Sequence, residues 1–260
     1  MERKTDTAET VPLSVARLHN AGGHADVLLV CEHASNYIPD HLDNLGLEQD
    51  ALNSHVAWDP GALAVARNMS RIMDAPLVAS TVSRLVYDCN RPPKAADAMP
   101  KHSEVFDIPG NANLNTEQIA DRVETVYEPF RSLLADTIAN ATSPPVLVTL
   151  HSFTPVYLGK PRAVEIGLLH DKDKRLANAM LDLAPAHTDL NTQRNNPYGP
   201  KDGVTHTLKL HALPNGLLNV MIEVRNDLIA TKTAQEEIAK MLAGLVTQAV
   251  AALETAPEAT

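Results

Sequence analysis

Short continuous apolar runs punctuate the chain, and each stops at a polar cluster. Residues 25–30 (ADVLLV) end at Cys31-Glu32-His33, residues 145–150 (PVLVTL) at His151, and residues 218–223 (LNVMIE) at Glu223. Runs of this length between polar stops are the pattern of strands buried on both faces, as in a parallel sheet with helices on either side. Residues 77–80, 83–88 and 164–169 read as further short strands, the second of them leading into Asn90-Arg91. Other stretches carry apolar residues at helical spacing. Residues 61–73 form one such stretch, with Asp59 as N-cap and Pro60 at the first helical position. Residues 117–140 form a second, in which Pro129 predicts a kink or break. Residues 173–183 and 232–254 form two more, 195–206 is a polar loop rich in Gly and Pro, and 207–213 is a short helix or strand. Strands alternating with helices predict an α/β fold whose mixed or parallel sheet is covered on both faces.

No repeat, low-complexity tract or Gly/Ser linker divides the 260 residues, so one domain spanning 1–260 is expected. Apolar residues at 44% and charged residues at 21% exclude collagen-like, disordered and disulfide-scaffold classes. Aromatics at 3% leave the core to Val, Leu, Ile and Ala. The formal charge of −10, with no basic run, argues against a nucleic-acid partner. No uninterrupted apolar run reaches the roughly 18 to 20 residues that cross a bilayer, so no membrane partner is expected. The charged opening stretch is not a secretory signal. Cys31 and Cys89 form no extracellular framework, and a cytoplasmic location is expected.

In open α/β sheets the carboxyl ends of the strands share one edge, where ligands bind. Strand ends at His33, His151, Glu223 and Asn90-Arg91 would therefore converge there. Two neutral imidazoles and a carboxylate are a common Zn²⁺ set, catalytic when a fourth position stays open. Asn36 follows His33 at the spacing of a His-x-x-Glu pair, but a neutral carboxamide is a weak zinc ligand. Asp59, at a loop before a helix, is the better third ligand, although it could serve as helix cap alone. Bound zinc lowers the pKa of its water to about 7 and polarises a carbonyl. A carboxylate that is not a ligand can then take the proton, and Glu223 is the residue for that task.

Arg91 offers paired donors for a substrate carboxylate or a developing oxyanion, and Asn90 adds a neutral donor. Arg84 could reach the same edge or pair with an acid. In the polar segments, Tyr198, Arg162 and His211 are expected to touch substrate, and His206 could do so too. His55 is either a partner behind a ligand or a surface residue. His19, His24, His41, His102 and His187 read as solvated. A metal-free enzyme with Cys31 or Cys89 as nucleophile is a competing reading.

The segments CEHASNYIP, AWDPGALAVARNMS, SRLVYDCNRPP, LHSFTPVY, NNPYGP and IEVRNDLI occur in order from Val27 to Ile229. Together they resemble the N-formylglutamate amidohydrolase family, in its broad predicted branch, which is related to zinc carboxypeptidases. The resemblance implies a three-layer α/β/α sandwich with a mixed central sheet, phosphorylase/hydrolase-like. It implies His33 and His151 as zinc ligands, Asn90-Arg91 as the oxyanion and carboxylate pair, and Glu223 as general base. Asn36 stands where the carboxypeptidases have a glutamate ligand, and Asp59 belongs to this family's own pattern. The implied activity is hydrolysis of an N-formyl or N-acyl amino acid, a small amino-acid-derived substrate. A carboxypeptidase-like hydrolase of peptides or cell-wall fragments, or an inactive metal- or ligand-binding homologue, are the alternatives.

Overall fold

The computed structural model describes residues 14–255. Seven strands form the central sheet: β1 (Ala16–His19), β2 (Val27–Cys31), β3 (Leu77–Ser80), β4 (Val146–Phe153), β5 (Ile166–Leu169), β6 (Thr192–Arg194) and β7 (Asn219–Arg225). Their order is β1-β3-β2-β4-β7-β5-β6. The inner strands β3, β2, β4 and β7 run parallel. β1 pairs antiparallel with β3, and β5 antiparallel with β7. The sheet is therefore mixed, as expected.

Alternation along each strand sends successive side chains to opposite faces. Leu29, Val148 and Ile222 join a core with the helices α1 (Ala62–Met73), α3 (Arg175–His187) and α4 (Lys232–Thr255). Leu28, Leu147 and Met221 join a second core with α2 (Glu128–Ala139), the helical turn before it at Tyr127, and the long connection around Tyr87. Leu29, Val148 and Ile222 are fully shielded from solvent. Complete burial of one such side chain contributes about 1.5–3 kcal/mol. Two covered faces explain why the inner strands read as unbroken apolar runs. By length and composition α4 could cross a membrane, yet its Leu242, Leu245 and Val246 are buried in the first core.

Three local expectations change. Residues 83–88 form turns rather than a strand. Their backbone groups bond outside any ladder: Ser83 N–H donates to Tyr37 O, Val86 N–H to Ser83 O, and Asp88 N–H to Ala98 O. Pro129 does not end the long helix. A π-helical turn, Val123–Tyr127, precedes α2 and places Pro129 in the first turn, where its missing N–H does little harm. Asp59 does not cap α1. Gly61 is the N-cap at φ 83°, and a Cβ there would lie 2.8 Å from Ile229 O, so both conformation and space call for glycine.

Candidate active site

At the carboxyl edge of the parallel strands, β2 runs out into Glu32 and His33, while β4 and β7 carry His151 and Glu223 side by side in register. His151 and Glu223 alternate with Leu150 and Ile222, so they face the side of the sheet covered by loops. Asp59 precedes α1, and freedom from capping lets its carboxylate turn inward. Its N–H donates to His33 O at 2.9 Å, and its Oδ2 accepts the Ser152 N–H at 3.2 Å. Both contacts tie the loop to two strand ends.

Three potential ligand atoms meet here. His33 Nδ1 lies 3.3 Å from Asp59 Oδ2, His151 Nδ1 lies 2.9 Å from the same oxygen, and the two Nδ1 atoms are 3.2 Å apart. All three residues are buried. Tetrahedral ligands at zinc bond lengths stand about 3.3 Å from one another, so this triangle fits such an ion. The far side of each ring supports the same reading. His33 Nε2 is hydrogen-bonded to Asp88 Oδ1 at 2.7 Å, whereas His151 Nε2 lies 3.1 Å from Glu32 Oε2, at ion-pair distance but without hydrogen-bond geometry. On His33 the carboxylate keeps the proton at Nε2 and turns the Nδ1 lone pair toward the triangle, the usual arrangement behind metal-binding histidines, while Glu32 brings negative charge to the same side of His151. Asn36 is elsewhere, donating to Leu52 O.

The electrostatics of the cluster are strongly coupled. Burial pushes the Asp59 and Asp88 carboxyls up, but the adjacent imidazoles, with Arg84 beside Asp88, outweigh it and hold both well below the usual range. Burial would lower His151, yet Glu32 and Asp59 raise it well above an ordinary histidine. Glu223 is different. Burial lifts its carboxyl to about 7, and its Oε2 has no hydrogen-bond partner among the described residues.

The cluster opens into a cleft of about 770 Å³. Arg84, Asn90, Arg91, Arg162, Tyr198 and Glu223 all border it. Arg84 sits over the triangle, with Nη2 donating to Asp88 Oδ2 at 2.8 Å and Nη1 at 3.6 Å from Asp59 Oδ1. Arg91 donates from Nε to Asp97 Oδ2 at 2.6 Å and from Nη1 to Asn90 O and Gly203 O, which leaves Nη2 for a ligand. Asn90 is occupied as a clamp: its side chain donates to Val204 O and accepts from Thr207 N–H and Oγ1. Arg162 donates to the Tyr198 hydroxyl at 2.9 Å. The Tyr198 loop crosses the sheet over Gly167, where a Cβ would fall 2.2 Å from Asn196 O.

Other expected residues lie apart. His211 is buried away from the cleft, and burial lowers it to about 4. His206 Nε2 and the Tyr127 hydroxyl share a hydrogen bond at 2.9 Å. His55 pairs with Glu104 at the cleft's rim, 2.7 Å apart. Cys31 and Cys89 are both buried, and burial pushes their thiols well above the ordinary range, which removes them as ready nucleophiles. Sequence reasoning overlooked Glu32 and Asp88 as partners of the histidines. The only signal was position, one beside His33 and one at the start of the Asn90-Arg91 turn.

Sheet, helices and cluster define an α/β/α protein with a candidate metal centre at its sheet edge. A sequence profile of N-formylglutamate amidohydrolases matches residues 25–230. The chain belongs to the N-formylglutamate amidohydrolase family, whose members hydrolyse amide bonds. It is 54% identical to the gene product Atu2144 from Agrobacterium tumefaciens, over 93% of this chain and 96% of that one, with a TM-score of 0.91. It shares its fold with the N-formylglutamate amidohydrolase from Ralstonia eutropha JMP134 at 17% identity, over 93% and 98% of the two chains, with a TM-score of 0.65. No curated protein matches its sequence.

Proposed function

We propose that this protein is a zinc-dependent amidohydrolase that cleaves an N-formyl or N-acyl amino acid. His33 Nδ1, His151 Nδ1 and Asp59 Oδ2 would hold the ion. When bound, zinc supplies Lewis acidity toward a carbonyl and makes water nucleophilic near neutral pH. Asp88 keeps the proton on the outer nitrogen of His33, so its inner lone pair stays directed inward, and the Glu32 charge favours the same arrangement at His151.

Glu223, whose Oε2 has no competing partner among the described residues, takes the proton of the attacking water at Oε2 and passes it to the leaving nitrogen. Water adds across the C–N bond: the acyl carbon gains oxygen, and the amine departs with the proton. Nη2 of Arg91, with Arg84 nearby, supplies positive charge where oxyanion character develops. Losing one such contact costs about 3 kcal/mol of transition-state stabilisation. The two free, buried cysteines suit the reducing cytoplasm.

The observation that carries this reading is the Nδ1–Nδ1–Oδ2 triangle beside Glu223, whose Oε2 has no hydrogen-bond partner among the described residues. Its test is a screen of N-formyl, N-acetyl and N-carbamoyl amino acids against zinc-loaded protein and its Glu223→Gln variant. Turnover by the native chain that is lost in the variant is expected. Wild-type turnover by Glu223→Gln with metal bound would contradict the assignment.

A further inference from the structure

Three guanidinium groups border the cleft, but they are not equivalent. Arg84 is paired with Asp88 and lies near Asp59. Arg91 is paired with Asp97. Arg162 meets no carboxylate at ion-pair distance among the described residues. Instead its Nη1 approaches Thr154 O and Oγ1 at 3.3 and 3.4 Å, and its Nη2 donates to the Tyr198 hydroxyl. Its carbon lies 4.5 Å from the centre of the Tyr157 ring, 5.0 Å from Tyr198 and 5.5 Å from Phe153. Aromatic faces hold the guanidinium plane in place without neutralising its charge. Thr154 takes up Nη1, while Nη2 keeps one hydrogen and Nε–H meets no acceptor among the described residues, so one edge of the group can still donate to a planar anion.

The rim of the cleft carries carboxylates, of which Asp97 pairs with Arg91 and Glu104 with His55. Asp97, Glu104 and Asp202 lie around the cleft, and Asp97 is more than half exposed. A carboxylate seated on Arg162 finds an unneutralised partner. A second carboxylate on the same substrate would compete with the reacting oxygen for Arg91 Nη2, lie beside the Arg84–Asp88 pair, or meet the carboxylates of the rim.

We propose that Arg162 is the carboxylate anchor of this cleft, and that the cleft selects N-acyl amino acids bearing that one carboxylate and no acidic side chain. This rests on the amidohydrolase reading and narrows its substrate class. N-formylglutamine and N-formylglutamate differ in shape very little, so their comparison isolates charge.

The test combines binding and turnover. In the full-length Glu223→Gln protein loaded with zinc, calorimetry compares N-acetylglutamine, its α-carboxamide and N-acetylglutamate. Loss of the α-carboxylate should weaken binding by about tenfold or more, and the added side-chain carboxylate should weaken it by a similar factor. In Arg162→Gln the α-carboxylate effect should largely vanish, and in Arg162→Lys it should return in part. The catalytic chain should show the matching order in kcat/KM for the N-formyl compounds, with the Arg162 variants changed mainly in KM. Equal binding of acid and carboxamide by the unmutated anchor overturns the proposal, as does preference for the glutamate derivative. Absence of turnover with the binding pattern intact would instead remove the catalytic reading alone.

Discussion

The Nδ1 atoms of His33 and His151 face each other at 3.2 Å across 118 residues of chain. Two imidazole nitrogens meeting edge to edge, with Asp59 Oδ2 completing the triangle, form a concentration of lone pairs that a cation resolves. Two hydrogens on those nitrogens would collide, so the carboxylates behind the rings decide where the protons sit.

Asp88 is 2.7 Å from His33 Nε2. Asp88→Asn keeps the shape but removes the charge that fixes the proton there and anchors Arg84. Zinc affinity should fall roughly 10–100-fold. Competition against a chromophoric chelator reads this directly, and an unchanged affinity would mean that Asp88 does not support the ligand.

Glu223→Gln should retain zinc while turnover falls by about 10²–10⁴. Metal analysis and kinetics on the same preparation separate the two effects. A variant that lost metal and activity together would make Glu223 a ligand rather than a base.

Gly167 lets the Tyr198 loop lie against the sheet, with Asn196 O where a Cβ would be. Gly167→Ala should lower stability by about 1–3 kcal/mol through overpacking. It should also raise KM, because Tyr198 and its contact to Arg162 move with the loop. Thermal melts and Michaelis kinetics both read it, and a variant indistinguishable from the native protein in both would refute the close packing.

Burial lowers His211 from 6.5 to about 4, with the charges of His206 and Arg131 adding to the shift and that of Glu32 opposing it. Between these two values the unfolded chain binds the proton that the folded chain refuses, so acid weakens the fold through this residue. His211→Gln removes that contribution. Melting temperature as a function of pH should fall less steeply from pH 6.5 toward 4 in the variant, and parallel curves would exclude the effect.

The parts of this fold legible in the sequence are those that bury both faces. β2, β4 and β7 announce themselves as apolar runs because each residue meets a core on one side or the other. The edge strands β1 and β6 do not, since Arg17, Gln193 and Arg194 are polar and the strands are short. Residues 83–88 mislead because Leu85, Val86 and Tyr87 are as buried as any strand, yet their amides bond to turns. His33, His151 and Glu223 could be found at strand ends, and Asp59 by the company it keeps. Glu32 and Asp88 could not, because their role depends on which edge of an imidazole they face. Asn90 has a ligand-type side chain that the fold uses internally, and His211 has one that is buried outside the cleft.

Metal stoichiometry tests the central claim most directly. The purified full-length protein, stripped and dialysed against zinc, should retain about one equivalent by mass spectrometry, with a raised melting temperature. His33→Ala and His151→Ala should each abolish both effects while remaining folded by circular dichroism. Binding that survives in both folded variants, or no binding by the native chain, would contradict the account.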